Sequence, residues 1–189
     1  MPANCVNSAA ESVVGREMRY GLGVAAVVVR FSRSMSAAAF YWPETGRLEA
    51  LGTFPSNPGL ADRGAADGVS GRYVEMAERG ELITMGDATV PPGPWLAEIV
   101  RQLDGAEVAC VVGDRFRHAE FVEAMEKAGL SRVPFIWRGF GWKAGSEDVD
   151  LFRRALFDGE VKVAPSLLLR SAFSDAIVLH DLGKRHAIS

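Results

Sequence analysis

The stretch EVACVVGDRFRHAEFVEAMEKAG, residues 107–129, constrains this chain more than any other. Val108, Ala109, Cys110, Val111 and Val112 form a continuous apolar run, as expected of a parallel strand covered on both faces. Gly113 ends the run, and Asp114 follows at its carboxyl end, where open α/β sheets place ligands and catalytic groups. Arg115, Phe116, Arg117 and His118 come next, and Phe121, Val122, Met125 and Ala128 recur at helical spacing before Gly129. Spacing alone leaves Asp114 two roles. One is a carboxylate among cations that binds metal and phosphate; the other is a helix N-cap, satisfying amides that have no partner at a helix start.

Upstream, residues 24–31, 37–42 and 47–54 read as three strands, with Pro43-Glu44-Thr45-Gly46 turning the second into the third. Residues 55–68 are rich in proline and glycine and read as loop. A helix over 70–79, a strand over 82–85 and an amphipathic helix carrying Trp95, Leu96, Ile99, Val100 and Leu103 precede the central strand. After it, 133–137 reads as a strand and Arg138-Gly-Phe-Gly-Trp-Lys143 as a glycine-rich basic loop. Ser146 then reads as the N-cap of a helix with Glu147 and Asp148 in its first turn. A short extended piece over 161–164, a helix opened by Pro165, a strand over 177–179 and a short basic tail complete the chain. A three-strand antiparallel meander followed by strands alternating with helices predicts an α/β fold, a mixed sheet covered by helices and compatible with an RNase H-like topology.

Composition narrows the partners. The 189 residues suit one domain, and a net charge of −3 makes any nucleic-acid contact a matter of a local patch rather than of the whole molecule. Cys5 and Cys110 have no metal-ligand spacing, and Cys110 falls in the buried strand, so a reducing compartment fits better than a disulfide framework. No apolar run reaches the roughly 20 residues of a membrane span, and residues 1–19 lack the ordered features of a secretory signal.

Four segments carry a resemblance: SMSAAAFYWPETGRLEALGTFP from Ser34, TVPPGPWLAEIV from Thr89, VVGDRFRHAEFVEAMEKAGL from Val111, and RGFGWKAGSEDVDLFRRALFDGEVKVAPSLLLRSAFSDAIVLHD from Arg138. In this order they resemble the C-terminal nuclease domain of terminase large subunits from tailed phages, prophages and gene transfer agents. The resemblance implies an RNase H-like domain over 32–181. A divergent lead with the first strand, 1–31, would precede it, and a short basic tail, 182–189, would follow. It further implies metal-dependent endonucleolytic cleavage of double-stranded DNA during genome packaging, in the cytoplasm of a bacterial host, with small terminase and portal proteins as further partners.

By that resemblance Asp114 is a catalytic ligand to Mg²⁺ or Mn²⁺, and Arg115, Arg117, Arg138 and Lys143 contact DNA phosphates. Two departures stand out. Where the family's first strand ends in an acid, VVVRFSRSMS carries Arg30; Glu44 and Glu49 lie beyond the second strand. The helix that bears the family's third acid has no counterpart after Asp181, which matches a strand-ending Asp of the family. No G-x-x-x-x-G-K-[ST] loop occurs, so this polypeptide does not translocate DNA by itself. The alternative function is therefore an inactive, truncated remnant that binds DNA or packaging proteins. His118 is a candidate for proton transfer, Phe140 and Trp142 for packing or stacking, and His180 and His186 have no metal-ligand spacing. Ser34 and Ser36 lack the setting of a hydrolase nucleophile.

Overall fold

The computed structural model describes residues 24–30, 35–113, 118–138, 142–176, 178–180 and 186–188. The opening strands form as β1 (Val24–Arg30), β2 (Ser36–Trp42) and β3 (Arg47–Phe54), an antiparallel meander. The expected turn joins β2 to β3, the Thr45 and Gly46 amides both donating to the Trp42 carbonyl, at 3.2 and 2.8 Å.

Beyond the meander the loop expected over 55–68 instead holds a helix, α1 (Leu60–Ala66). Seven residues with a central glycine show no apolar period, so the sequence conceals it. Gly64 sits there because a Cβ would fall 2.1 Å from the Ser70 carbonyl oxygen. Close approach of the next segment outweighs the roughly 1 kcal/mol that glycine costs a helix.

There follow α2 (Arg72–Glu78), β4 (Leu82–Thr84), α3 (Pro92–Leu103), β5 (Glu107–Gly113), α4 (His118–Lys127) and β6 (Phe135–Trp137). The last segments are α5 (Trp142–Phe157), β7 (Lys162–Val163), α6 (Leu167–Asp175), β8 (Val178–His180) and β9 (His186–Ile188). Two expectations fail here. Helix α5 begins at Trp142, so Lys143 lies in its first turn and Ser146 is interior rather than the N-cap. The basic tail contains β9, which pairs antiparallel with β8 and sets His186 opposite His180.

Among the described residues the main sheet has seven strands in the order β4-β3-β2-β1-β5-β6, with β7 also pairing β3. Strands β1, β5 and β6 run parallel, and β5 has a hydrogen-bonded neighbour on each side; of its run, Val111 and Gly113 are buried and Val108, Ala109, Cys110 and Val112 are half-buried, so cover on both faces is less complete than the run predicts. Side-chain alternation then divides the core between the two faces. Ala25, Val27, Val29, Phe40, Leu51 and Val111 pack on one face against Trp95, Leu96 and Ile99 of α3 and Phe121 and Met125 of α4. Residues of the other parity in β3, Ala50 and Phe54, join Leu82, Met76 of α2 and Leu167 and Leu168 of α6 on the opposite face.

Helix α6 is held at both ends. The Ser166 hydroxyl accepts from the Leu169 amide at 3.1 Å, and the Glu81 carboxylate accepts from the Leu168 amide at 2.6 Å and from the Ser166 hydroxyl at 3.0 Å. A carboxylate at a helix N-terminus also meets the positive end of the helix dipole. At the other end Asp175 pairs with Arg72 of α2 at 3.2 Å. Among the described residues, no helix is long and apolar enough to cross a membrane.

Candidate nucleic-acid interface

The parallel pairing brings three strand ends to one edge. Val29 of β1 lies beside Gly113 of β5, and Gly113 beside Trp137 of β6. Arg30 therefore ends β1 at this edge, while Arg138 continues β6 and donates its amide to the Gly113 carbonyl at 3.0 Å. In the sequence Asp114 is the residue after Gly113; Asp114, Arg115 and Arg117, with Phe140, lie outside the described residues.

Gly113 is required by crowding. A Cβ there would lie 2.8 Å from Cζ of Phe135 and 3.2 Å from the Val29 carbonyl oxygen. The edge can thus be this narrow only with a glycine at the end of β5.

Arg138 has a defined role in the structure. Its Nε and Nη2 donate to the two carboxylate oxygens of Asp148, at 2.8 and 2.5 Å, a bidentate pair that ties the end of β6 to α5. The Arg138 side chain is 23% exposed and that of Asp148 45%. Spacing had placed Asp148 in the first turn of its helix; the earlier start of α5 places it further along, where its carboxylate meets Arg138. The ten-residue gap between the two gave no sign of this pair.

His118, the first residue of α4, packs on aromatic rings. Its ring centroid lies 3.7 Å from that of Trp137 and 5.0 Å from that of Phe135, and Phe121 meets Phe135 at 5.8 Å. Trp137 is a feature of this edge that sequence reasoning missed. The signal was available in the pattern Phe135-Ile-Trp137, which puts two aromatics on one face of a short strand.

Of the alternative acids, Glu44 stands in the β2–β3 turn, at the opposite end of the sheet from Arg30, since Tyr41 of β2 pairs with Ala26 near the start of β1. Glu49 is paired with Arg47 on β3. Neither reaches the edge. Within β5, burial pushes the Cys110 thiol above its ordinary value, which keeps it protonated at neutral pH.

Two solved structures share this architecture. The HK97 bacteriophage large terminase superposes with a TM-score of 0.78 at 18% identity, over 94% of this chain and 37% of that one. The large terminase nuclease from thermophilic phage G20c gives 0.51 at 9% identity, over 88% of this chain and 72% of that one. The fold is that of a large-terminase nuclease. It is RNase H-like: the terminase nuclease fold here comprises the β3-β2-β1-β5-β6 order, antiparallel at β2, with β4 added beside β3. This chain spans about a third of the length of the HK97 terminase, 37%. No family model and no curated protein matches it.

Proposed function

We propose that this chain is a nuclease-like domain of a phage large terminase that engages double-stranded DNA at the carboxyl edge of β1, β5 and β6 during genome packaging. The observation that carries the reading is the register at Gly113, with Val29 on one side and Trp137 on the other, immediately before Asp114. An acid following a strand flanked on both sides belongs to the part of an open α/β sheet where ligands bind. In this reading Asp114 holds the position of the family's metal-binding and catalytic carboxylate, whether or not this chain cleaves, Arg115, Arg117 and Lys143 supply phosphate contacts, and Arg138 joins them when phosphate competes with Asp148 for its guanidinium. Small terminase and portal proteins are the proposed protein partners, in the cytoplasm of a bacterial host.

Metal-dependent cleavage makes a further demand. Mg²⁺ or Mn²⁺ needs several converging oxygen ligands, and phosphodiester hydrolysis in such folds employs a pair of ions. Among the described residues no group of three or more His, Cys, Asp or Glu converges, and Asp148 is engaged by Arg138. Arg30 ends β1 where the resemblance calls for an acid, and a guanidinium stays charged at every usable pH. That observation favours the second reading, a domain that holds DNA or packaging proteins and cleaves weakly or not at all.

The test measures two quantities on the purified chain, duplex binding against rising salt and nicking of supercoiled plasmid with Mg²⁺ or Mn²⁺. Binding is expected to weaken steeply with salt, as phosphate contacts release counterions, and nicking is expected to be absent. Nicking lost in Asp114→Asn and with chelator would establish the endonuclease and overturn the inactive reading. Binding to no DNA at all would overturn the proposal as a whole.

A further inference from the structure

We infer that Trp137, backed by His118, is a stacking step for an unpaired or terminal DNA base at the strand-end edge. This rests on the DNA reading above and adds to it a preference for duplex that has been opened.

Exposure and position carry the argument together. Trp137 leaves 42% of its surface exposed while its ring packs against the His118 ring, tilted by 40°, and meets Phe135 at 5.5 Å. Phe135 in turn contacts Phe121, which is 2% exposed and belongs to the main core. The indole is thus fixed by a chain of rings that ends in the protein interior, so little rotamer freedom remains to be lost when a ligand stacks on it. Among the described residues the other exposed large apolar side chains, Leu151, Phe157, Val163 and Phe173, stand on α5, β7 and α6. Trp137 alone among them stands in register with Gly113 at the proposed DNA edge.

Such a ring selects the state of the DNA. In an intact duplex both faces of every base are covered by neighbouring base pairs, so an aromatic face meets only base edges and backbone. A base at an end, beside a gap or turned out of the helix offers its own face, and stacking on it is tolerant of sequence. The bidentate Arg138–Asp148 pair next in the chain braces the same strand end from the side of α5.

The experiment compares a covalently closed circular duplex with the same circle carrying a single-stranded gap, by competition for the full chain. Wild type is expected to prefer the gapped circle. Trp137→Leu keeps apolar bulk but removes the aromatic face, and it should weaken binding to the gapped circle by roughly tenfold with affinity for the closed circle unchanged. Trp137→Phe should retain most of the preference, and thermal unfolding should show both variants cooperatively folded at the assay temperature. Binding of the closed circle with no preference for the gap, or a preference that survives Trp137→Leu, overturns this inference and leaves the DNA reading standing. Failure of wild type to bind either circle overturns the DNA reading and this inference with it.

Discussion

A methyl group at Gly113 has nowhere to go. The Phe135 ring it would strike is itself wedged among His118, Phe121 and Trp137, and its other neighbour is the backbone carbonyl of Val29. Gly113→Ala is therefore expected to destabilise the protein by about 1–3 kcal/mol, the usual range for overpacking, as read by urea unfolding. Three residues earlier, Cys110 has its thiol pushed up by burial. Its reaction with a thiol-specific disulfide reagent should be slow at neutral pH in the native state, rise only at pH above the ordinary thiol value of 9.0, and become faster at neutral pH in denaturant. Equal native and denatured rates at neutral pH would show the strand to be open.

At the scale of elements, α3 offers a pH test. The Glu98 carboxylate lies below its ordinary value of 4.5, first because Arg101 hydrogen-bonds to it, against the opposing effect of burial, and then because Gln102 does so as well. A depressed carboxylate contributes stability that is complete above 4.5 and is lost as pH falls through the lower, folded-state value. Glu98→Gln should thus be less stable than wild type at neutral pH, with the gap closing in acid; a gap that widens in acid contradicts the pairing. The elements also show what a sequence can disclose. Strand β5 was legible because a short unbroken apolar run favours a strand between two neighbours, although only Val111 and Gly113 of it are fully buried, and α3 because its buried residues repeat at the helical period. Helix α1 was not, because Gly64 answers to a contact with Ser70 that has no local signature. The start of α5 and the strand β9 were hidden for a related reason: glycine-rich and basic stretches read as loop whenever tertiary pairing, rather than propensity, decides their state. At the edge, Gly113 could be placed from sequence, whereas the Arg138–Asp148 pair depends on where α5 brings Asp148.

For the molecule as a whole, the residue ending β1 decides between the two functional readings. In sequence Arg30 is the last residue of β1, and on the proposed reading a permanently cationic residue type in place of an acid there should keep metal affinity low. Arg30→Asp is expected to raise Mn²⁺ affinity at least several-fold by calorimetry, without restoring nicking by itself, because a single added carboxylate still leaves the ion largely water-bound. Unchanged affinity would show that the end of β1 is remote from the metal.

The pairing of β1 with β5 bears on how the protein reaches its native state. Between Val29 and its neighbour Gly113 the chain makes β2, β3, β4 and α1 through α3, so the parallel contact at the heart of the sheet closes a long loop. Loop-closure entropy delays such contacts, and the β1–β2–β3 meander, whose partners are adjacent in sequence, is free to form earlier. On a ribosome β1 emerges well before β5 exists, and its valines must wait for their partner. Nascent chains arrested ahead of residue 107 would then present the β1 edge unpaired, and holdase chaperones would meet the protein at that stage of its synthesis.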